Sequence, residues 1–476
     1  MERLDVRTAL ATLSTKRRRR LLITLAGLLL GGVLALVAAD PEDGLTMVAA
    51  ALATAFLVAQ PHWGILAIFA LVVFRIDPVR IGAFGTSEVL AAPLVFPLAL
   101  QILRDRGIWL WHVPQVRLLL MIGGVLLMAT EWSLLTHPPP PFGQQDGPWS
   151  PLILFGQQLL FLSYLVYFVK TPRHLICAVV VILVMILAAA VDSLDLLGAG
   201  HGGERARVSQ GWAANSNRLA FLCVWGTALV WSLRFKGPHG WWRPFTLVPL
   251  LGLPVVTLMT GSRNGLIQLL LLGGLILLEQ RQWSPAQRTR AFALMALAAV
   301  TVLALAPAAM KDRASNFQEA SVTDRISTHW AGAAMVAQHP LFGIGPGNFH
   351  WRNAAMTGYS MSTHDSYLWA ITAGGPLLLL LYLVLFYRTY RALARVERWG
   401  ASDLAWLATA LRFQLVIMIA FSFFADLWLT HPFYFLLGLS ILVIRFGQRS
   451  APRVVTVPAS VRARSIPLDA RVIDAS

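Results

Sequence analysis

Residues 16–39 read KRRRRLLITLAGLLLGGVLALVAA, a basic cluster followed by an uncharged apolar stretch. A transmembrane helix needs about 20 apolar residues, and this stretch is close to that length. It is longer than the roughly 7–15 residues of the apolar core of a signal peptide. Similar stretches recur along most of the 476 residues, of which 57% are hydrophobic and only 13% are charged. Soluble domains carry about a quarter charged residues, so the composition excludes a soluble globule. The sequence therefore predicts an all-α polytopic membrane protein whose first basic flank is cytoplasmic.

The apolar stretches predict about 14 transmembrane helices (12–14, because residues 45–60 and 63–76 could form one re-entrant hairpin). The predicted organisation is a basic cytoplasmic N-terminus at 1–20, helices 1–11 at 21–307, a long periplasmic loop at 308–363, helices 12–14 at 364–446, and a disordered cytoplasmic tail at 447–476. We expect the loop to fold over the mouth of a cavity between the spans. In it, Ser321-Val-Thr-Asp324 resembles a helix-start box, residues 325–338 can form an amphipathic helix, and His339-Pro340 would end that helix.

The distribution of charge supports this topology. The segments assigned to the cytoplasm contain 28 of the 39 Lys and Arg residues, and those assigned to the outer side contain 10. The formal net charge of +16 is thus a topology signal and does not predict nucleic-acid binding. The remaining basic residue, Arg412, lies inside the predicted span 404–427, where a charge is costly. Glu88, Glu131 and Asp426 are its candidate partners in a structural ion pair, and a contact with substrate is the alternative interpretation.

The positive-inside rule disfavours arginines on the outer side, so each of them calls for a reason. Arg263 is the clearest example. The segment Thr260-Gly261-Ser262-Arg263-Asn264-Gly265 joins two apolar stretches through a tight outer turn. Arg263 would stand at the N-terminal end of a helix, where the helix dipole, free N–H groups and the guanidinium attract an anion together. A contact with lipid headgroups is the alternative interpretation.

Two further outer segments are rich in polar residues. In Arg205–Arg218, Asn215 and Asn217 could cap the following helix or could hydrogen-bond sugar hydroxyls. The glycines of His339–Phe349 follow no predicted strand, so we reject a nucleotide-binding loop there. His364 is a plausible general base at neutral pH. Its neighbour Asp365 is better interpreted as a helix cap, because adjacent residues on a helix do not face each other. No HExxH, CxxC, P-loop or GxSxG signature occurs, and the two cysteines lack metal-ligand spacing, so neither a metal nor a cofactor is expected.

Together these segments resemble the bacterial O-antigen ligase and polymerase superfamily over about residues 205–390. The features that carry the resemblance are the polar stretch 207–217 before a span, the Gly-Ser-Arg turn at 261–263, the His-Pro-Leu-x-Gly-x-Gly-x-Gly-Asn-Phe run at 339–349 and the His-x-Ser-Tyr-Leu start at 364–368. The resemblance implies a fold similar to the GT-C membrane enzymes. It also implies a metal-independent glycosyltransferase, acting as an O-antigen ligase or a polysaccharide polymerase, in the bacterial inner membrane with its site facing the periplasm.

The resemblance also implies substrates and residue roles. The donor would be a glycan on undecaprenyl pyrophosphate, and the acceptor a sugar hydroxyl of lipid A core or of a second lipid-linked glycan. By motif position, Arg207, Arg263 and Arg325 would bind the pyrophosphate and His364 would activate the acceptor. Arg218, Arg352 and Asn217 complete the predicted substrate-binding set. Asp365 stands where the family often has an asparagine or another polar residue, which leaves the acceptor class open.

Two other classes of protein remain open: a transporter or flippase for an anionic lipid-linked substrate, and a scaffold subunit of an envelope complex. Transporters tend to show internal repeats and broken helices near the midplane. This sequence concentrates its polar residues at one face, which favours surface chemistry on a membrane-borne substrate.

Overall fold

A computed structural model describes residues 60–74, 86–104, 112–136, 147, 149–198, 215–238, 240–280, 284–287, 289–290, 293, 300, 320–398 and 403–450. Over these residues the chain is helical and contains no strand. The helices are α1 Pro61–Phe74, α2 Thr86–Arg104, α3 Pro114–Thr136, α4 Ser150–Phe168, α5 Pro172–Gly198, α6 Ser216–Lys236, α7 Leu247–Met259, α8 Arg263–Glu279, α9 Ala320–Gln338, α10 Phe349–Thr357, α11 Ser366–Arg398, α12 Ala405–Phe421 and α13 His431–Ser450. The all-α class is confirmed.

Five of these helices are long and apolar enough to cross a membrane: α3, α4, residues 172–194 of α5, α6 and α11. This agrees with a polytopic membrane protein. The predicted total of about 14 spans includes residues 21–59 and most of 290–307, which lie outside the described residues. That total, the GT-C-like arrangement and the periplasmic side of the loop stay predictions. The predicted disordered tail begins too early, because residues 447–450 are the last residues of α13, and the character of 451–476 stays a prediction.

Helix α6 lies at the centre of the bundle. It packs against α5, α7, α8 and α12. Its membrane-crossing window is 78% buried, against 39–50% in the other four candidate spans. A helix that is apolar on all sides is expected in such a central position. Both ends of α6 carry polar residues: Arg218 lies in its first turn and Lys236 is its last residue. Each of these residues belongs to a polar cluster described below, and the two clusters lie at opposite ends of the bundle.

Helix α11 is broken near its beginning. Gly374 and Gly375 have non-helical backbone angles, φ −147° and ψ 17° for the first and φ 73° and ψ −172° for the second, and Pro376 follows. Helix α11 packs against α3, α12 and α13. A glycine is required at 375, because a Cβ there would overlap the backbone carbonyl of Leu341.

The amphipathic segment of the long loop forms α9, which ends at Gln338, directly before the predicted stop at His339-Pro340. The helix already begins at Ala320, so the proposed start box at 321–324 lies inside the helix and does not precede it. Ala331, Met335, Ile344 and Phe349 form a small buried cluster, with Leu368 of α11 packed against it. The loop is therefore folded onto the beginning of α11.

Arg412 pairs with two acids other than Glu131 and Asp426, and the side chain of Glu88 lies outside the described part of the chain. The Arg412 guanidinium forms ion pairs with Glu279 at 2.8 Å and with Glu397 at 2.9 Å, and Lys236 binds the same two carboxylates at 2.7 and 2.9 Å. We call these four residues the Arg412 cluster. Its members stand at or near the C-terminal ends of α6, α8 and α11 and within α12. The sequence did not single out Glu279 and Glu397, because spacing along the chain does not show which helix ends meet.

Candidate active site

A second polar cluster lies at the other end of the bundle, where α6, α8, α11 and α13 begin. Here His364 interacts electrostatically with Arg218 of α6, Arg325 of α9, His350 of α10 and Asp426 from the α12–α13 connection. We call these five residues the His364 cluster. Three of them, Arg218, Arg325 and His364, are predicted site residues, and the fold brings them together from positions up to 146 residues apart in the sequence.

The backbone of His364 has an unusual conformation. Its φ of 47° makes it the single non-glycine residue with positive φ among the described residues. Such a conformation is uncommon for a residue with a side chain and persists only where its surroundings hold it. Asp426 does so: it accepts a hydrogen bond from the His364 backbone N–H at 3.1 Å and another from the Thr363 hydroxyl. The Ser362 hydroxyl lies 3.2 Å from Nδ1 of the imidazole.

The imidazole of His364 is held in its neutral form. Burial lowers its pKa below the usual 6.5, and the positive charges of Arg325 and Arg218 and the nearby His350 lower it further. Asp426 acts in the opposite direction and raises the pKa, but the net shift is downward. A neutral imidazole can accept a proton at neutral pH. Asp426 would then stabilise the imidazolium that proton transfer creates.

Asp365 caps α11, as the sequence predicts. Its carboxylate accepts hydrogen bonds from the backbone N–H groups of Tyr367 at 2.8 Å and Leu368 at 3.1 Å. The second oxygen lies 3.4 Å from Nε2 of His329, whose Nδ1 is 2.7 Å from the carbonyl of Arg325. Burial raises the pKa of Asp365, although these hydrogen bonds oppose the shift. Asp365 therefore links α9 to α11, and its carboxylate faces the backbone N–H groups at the start of α11.

The Arg263 turn has the predicted geometry. Arg263 is the first residue of α8, and Ser262 caps the helix by accepting the Gly265 N–H at 3.0 Å. The Ser262 hydroxyl donates in turn to Oδ1 of Asn217 at 2.6 Å. Gly261 makes the turn with a φ of 60°. The two polar segments that the sequence singles out, before α6 and before α8, are thus bonded to each other.

Asn215 has the capping role that the sequence offers, whereas a contact of Asn217 with a sugar hydroxyl stays a prediction. Asn215 is the cap of α6, since its side chain accepts the Asn217 N–H at 2.9 Å. Asn217 itself lies in the first turn, half-buried, with its oxygen bonded to Ser262. It positions the Arg263 turn beside Arg218, the next residue on α6.

Arg352 lies in a different contact. Its Nη1 donates to Nε2 of His339 at 3.2 Å, and its guanidinium stands 5.0 Å from the Trp351 ring. It is not among the groups that shift the pKa of His364. Arg207 lies outside the described residues, so its predicted role stays a prediction.

The glycine run after His339 is structural. Gly343, Gly345 and Gly347 all have positive φ, and a Cβ at 343 would overlap the carbonyl of Thr372. That carbonyl accepts the Ile344 N–H at 2.7 Å. Asn348 donates to Ser133 of α3 and to the Ile344 carbonyl. The run is packed between α3 and the break in α11, which agrees with the rejection of a nucleotide loop.

His350 and Asp426 of the His364 cluster, and His329 beside it, lie outside the site residues that the sequence predicts. Asp426 attracts attention in sequence only as an acid near a span, and the end of α12 at Phe421 is what frees it to reach His364. His350 directly follows the glycine-run motif, which could have suggested it. His329 is one turn beyond Arg325 on the predicted amphipathic helix, a spacing that puts both residues on one face.

Residues 246–383 match the family model described as O-antigen ligase. No curated protein matches the chain. The matched range contains Arg263, Arg325, Arg352 and His364, as well as the glycine run and the break in α11. Together with the apolar helices, the match supports a multi-pass membrane protein with a role of the O-antigen ligase or polymerase type, and so a glycosyltransferase-like enzyme. It confirms the resemblance of this chain to the O-antigen ligase and polymerase superfamily.

Proposed function

We propose that this protein is a membrane glycosyltransferase that moves a glycan from undecaprenyl pyrophosphate to an acceptor sugar hydroxyl at the periplasmic face of the inner membrane. It would act as a polysaccharide or O-antigen polymerase, or as an O-antigen ligase to lipid A core. The observation that carries the proposal is the His364 cluster, in which a neutral imidazole lies among arginines at the end of the bundle where α8 presents Arg263.

The reaction needs a base and a site for a pyrophosphate. The acceptor hydroxyl attacks the anomeric carbon, the new glycosidic bond forms as the bond to the pyrophosphate oxygen breaks, and the hydroxyl proton passes to His364. A positioned base of this kind typically contributes about 10²–10⁴-fold. The lipid pyrophosphate leaves with added negative charge, which the guanidinium groups of Arg263, Arg325 and Arg218 would stabilise. The activated donor supplies the free energy, so the reaction calls for no nucleotide.

Each side chain in this scheme has a distinct task. Arg263 would bind the pyrophosphate at the start of α8, where the helix dipole also favours an anion. Asp426 is a positioning residue, since it holds the backbone of His364 and opposes the positive charge around it. Asn217 and Ser262 would act through the Arg263 turn.

The test is a transfer assay with purified lipid-linked donor, run beside a donor-binding measurement. We expect His364→Ala to slow transfer by roughly 10²-fold or more while donor binding stays the same. Arg263→Ala should weaken donor binding, and Arg263→Lys should recover little, because an ammonium group cannot reproduce the planar fork of the guanidinium. His112→Ala, at an exposed turn before α3, is the matched control.

Normal transfer by His364→Ala would remove its catalytic role, and normal donor binding by Arg263→Ala would remove that assignment. Loss of wild-type transfer in the presence of a chelator would contradict the metal-independent mechanism. Broken helices such as α11 also occur in transporters, so a flippase is the alternative. The same reconstituted protein separates the two, because a flippase would move the donor across the bilayer without forming a glycosidic bond.

A further inference from the structure

A cleft opens at the end of the bundle opposite the His364 cluster, between the last turn of α6 and the beginning of α7. It has a volume of about 540 Å³ and is lined by Arg234, Phe235, Arg243, Pro244 and Leu247. Two guanidinium groups thus line one concave surface. Neither arginine belongs to the proposed reaction.

The local fold holds Arg234 in place. Its Nη1 donates to the carbonyl of Arg243 at 2.7 Å and lies 3.3 Å from the Thr246 hydroxyl. Thr246 donates back to the same carbonyl at 2.6 Å. These hydrogen bonds stabilise the connection between α6 and α7, and Arg234 lies at the wall of the cleft. They use the backbone of Arg243, so they do not depend on its side chain.

The side chain of Arg243 is differently placed. Its Nε is buried and has no hydrogen-bond partner among the described residues. The Arg243 guanidinium has no ion pair among the described residues, so its positive charge favours an anion in the cleft. The acids Glu279 and Glu397 on neighbouring helices are bonded to Lys236 and Arg412, and so are not available to neutralise this arginine.

The surroundings of the cleft are apolar and exposed. Val248, Leu251 and Phe245 are 76%, 67% and 66% exposed, and they lie on the first turns of α7 and on the turn that precedes it. In a protein that spans a membrane, such side chains contact acyl chains. A phosphate group on two arginines directly beside an acyl-chain surface is the chemistry of a phospholipid site.

We propose that this cleft binds the phosphate headgroup of an anionic phospholipid from the leaflet opposite the candidate active site. The guanidinium groups of Arg234 and Arg243 contact the phosphodiester, and the acyl chains lie along Phe245, Val248 and Leu251. The site is independent of the transfer reaction, so failure of one proposal leaves the other in place.

The experiment is native mass spectrometry of the full chain released from nanodiscs that contain equal amounts of phosphatidylglycerol and phosphatidylethanolamine. We expect the wild-type protein to retain phosphatidylglycerol preferentially and Arg243→Gln to retain about tenfold less of it, the effect of one lost charge-assisted contact. Arg395→Gln, an exposed arginine at the same end of the bundle, is the matched control and should retain as much as wild type. Arg243→Gln is preferred to Arg234→Gln because it leaves the bonds of the α6–α7 connection intact.

Three results would overturn the proposal. Equal retention by wild type and Arg243→Gln would show that the cleft does not hold the lipid. Equal retention of the two phospholipids would show that the negative charge is not recognised. Displacement of phosphatidylglycerol by soluble glycerol phosphate at comparable concentration would make the cleft a site for a soluble phosphate compound instead.

Discussion

His364 and Asp426 illustrate what a single residue can and cannot disclose in a sequence. The motif around His364 identifies it as a candidate base, but the left-handed backbone and the neutral form of the imidazole follow from contacts with residues far away in the chain. Asp426 is 62 residues from His364. A lone acid near the end of a predicted span has many possible partners, so its contact with His364 could not be chosen from residue type and spacing.

The charges around His364 predict the pH dependence of transfer. Because the pKa of His364 is lowered, the acid limb in the pH profile of kcat/KM should have its midpoint below pH 6.5. Arg325→Gln removes a positive charge that lowers this pKa, so it should move the limb to higher pH. Asp426→Asn removes a negative charge that raises it, so it should move the limb to lower pH. The measurement is kcat/KM for transfer against pH in each variant.

Arg352→Gln is the control for this series. Arg352 is bonded to His339 and does not act on the pKa of His364, so the limb should stay in place even if the rate changes. Shifts of Arg325→Gln and Asp426→Asn in the same direction would contradict the assignment of the limb to His364.

At the scale of elements, the glycine run and the break in α11 fit together. Gly343 accommodates the carbonyl of Thr372 before the break, and Gly375 accommodates the carbonyl of Leu341. Each segment therefore requires glycine because the other lies so close. Hydropathy predicts one continuous span from residue 368 and gives no sign that a loop packs against its first turns. The break in α11 results from this contact together with the local Gly374-Gly375-Pro376 sequence.

Replacement of Gly375 tests this packing. Gly375→Ala places a Cβ on a residue with φ 73° and into the Leu341 carbonyl, so we expect destabilisation by more than about 2 kcal/mol. Gly274→Ala in α8 is the control, because a Cβ there meets nothing within 4 Å, and it should be neutral or stabilising by up to about 1 kcal/mol. Thermal unfolding of the detergent-purified proteins, with recovery from the membrane as a second readout, compares the two. Equal stability of the two variants would show that the segments separate easily.

For the whole molecule, hydropathy and charge predict the helical class, most helix positions and the separation of the polar residues between two ends. The helices α6, α8, α11 and α13, whose first residues border the site, also begin within a few residues of the predicted stretches. What the sequence could not predict is which helix ends meet, because that depends on packing between segments far apart in the chain. The partners of Arg412 and of His364 are both set by contacts between helix ends, so residue patterns and spacing along the chain could not predict them.

The position of the two ends relative to the membrane can be measured with single cysteines. In a Cys177→Ser background, which removes an exposed native thiol, Met356→Cys on α10 and Trp241→Cys between α6 and α7 place one thiol at each end. We expect Met356→Cys to react with an impermeant thiol reagent once the outer membrane is permeabilised. Trp241→Cys should react only after lysis of the inner membrane. The reverse pattern would invert the proposed topology and place the His364 cluster in the cytoplasm.

The Arg412 cluster has a consequence for how the chain is made. In order of synthesis its members are Lys236, Glu279, Glu397 and Arg412, so the signs run positive, negative, negative, positive. As each of them is synthesised, the summed charge of these four residues never exceeds one unit of either sign. Arg412 is made last and lies within α12, where an unpaired charge would be most costly. When α12 leaves the ribosome, both of its carboxylate partners are already in place.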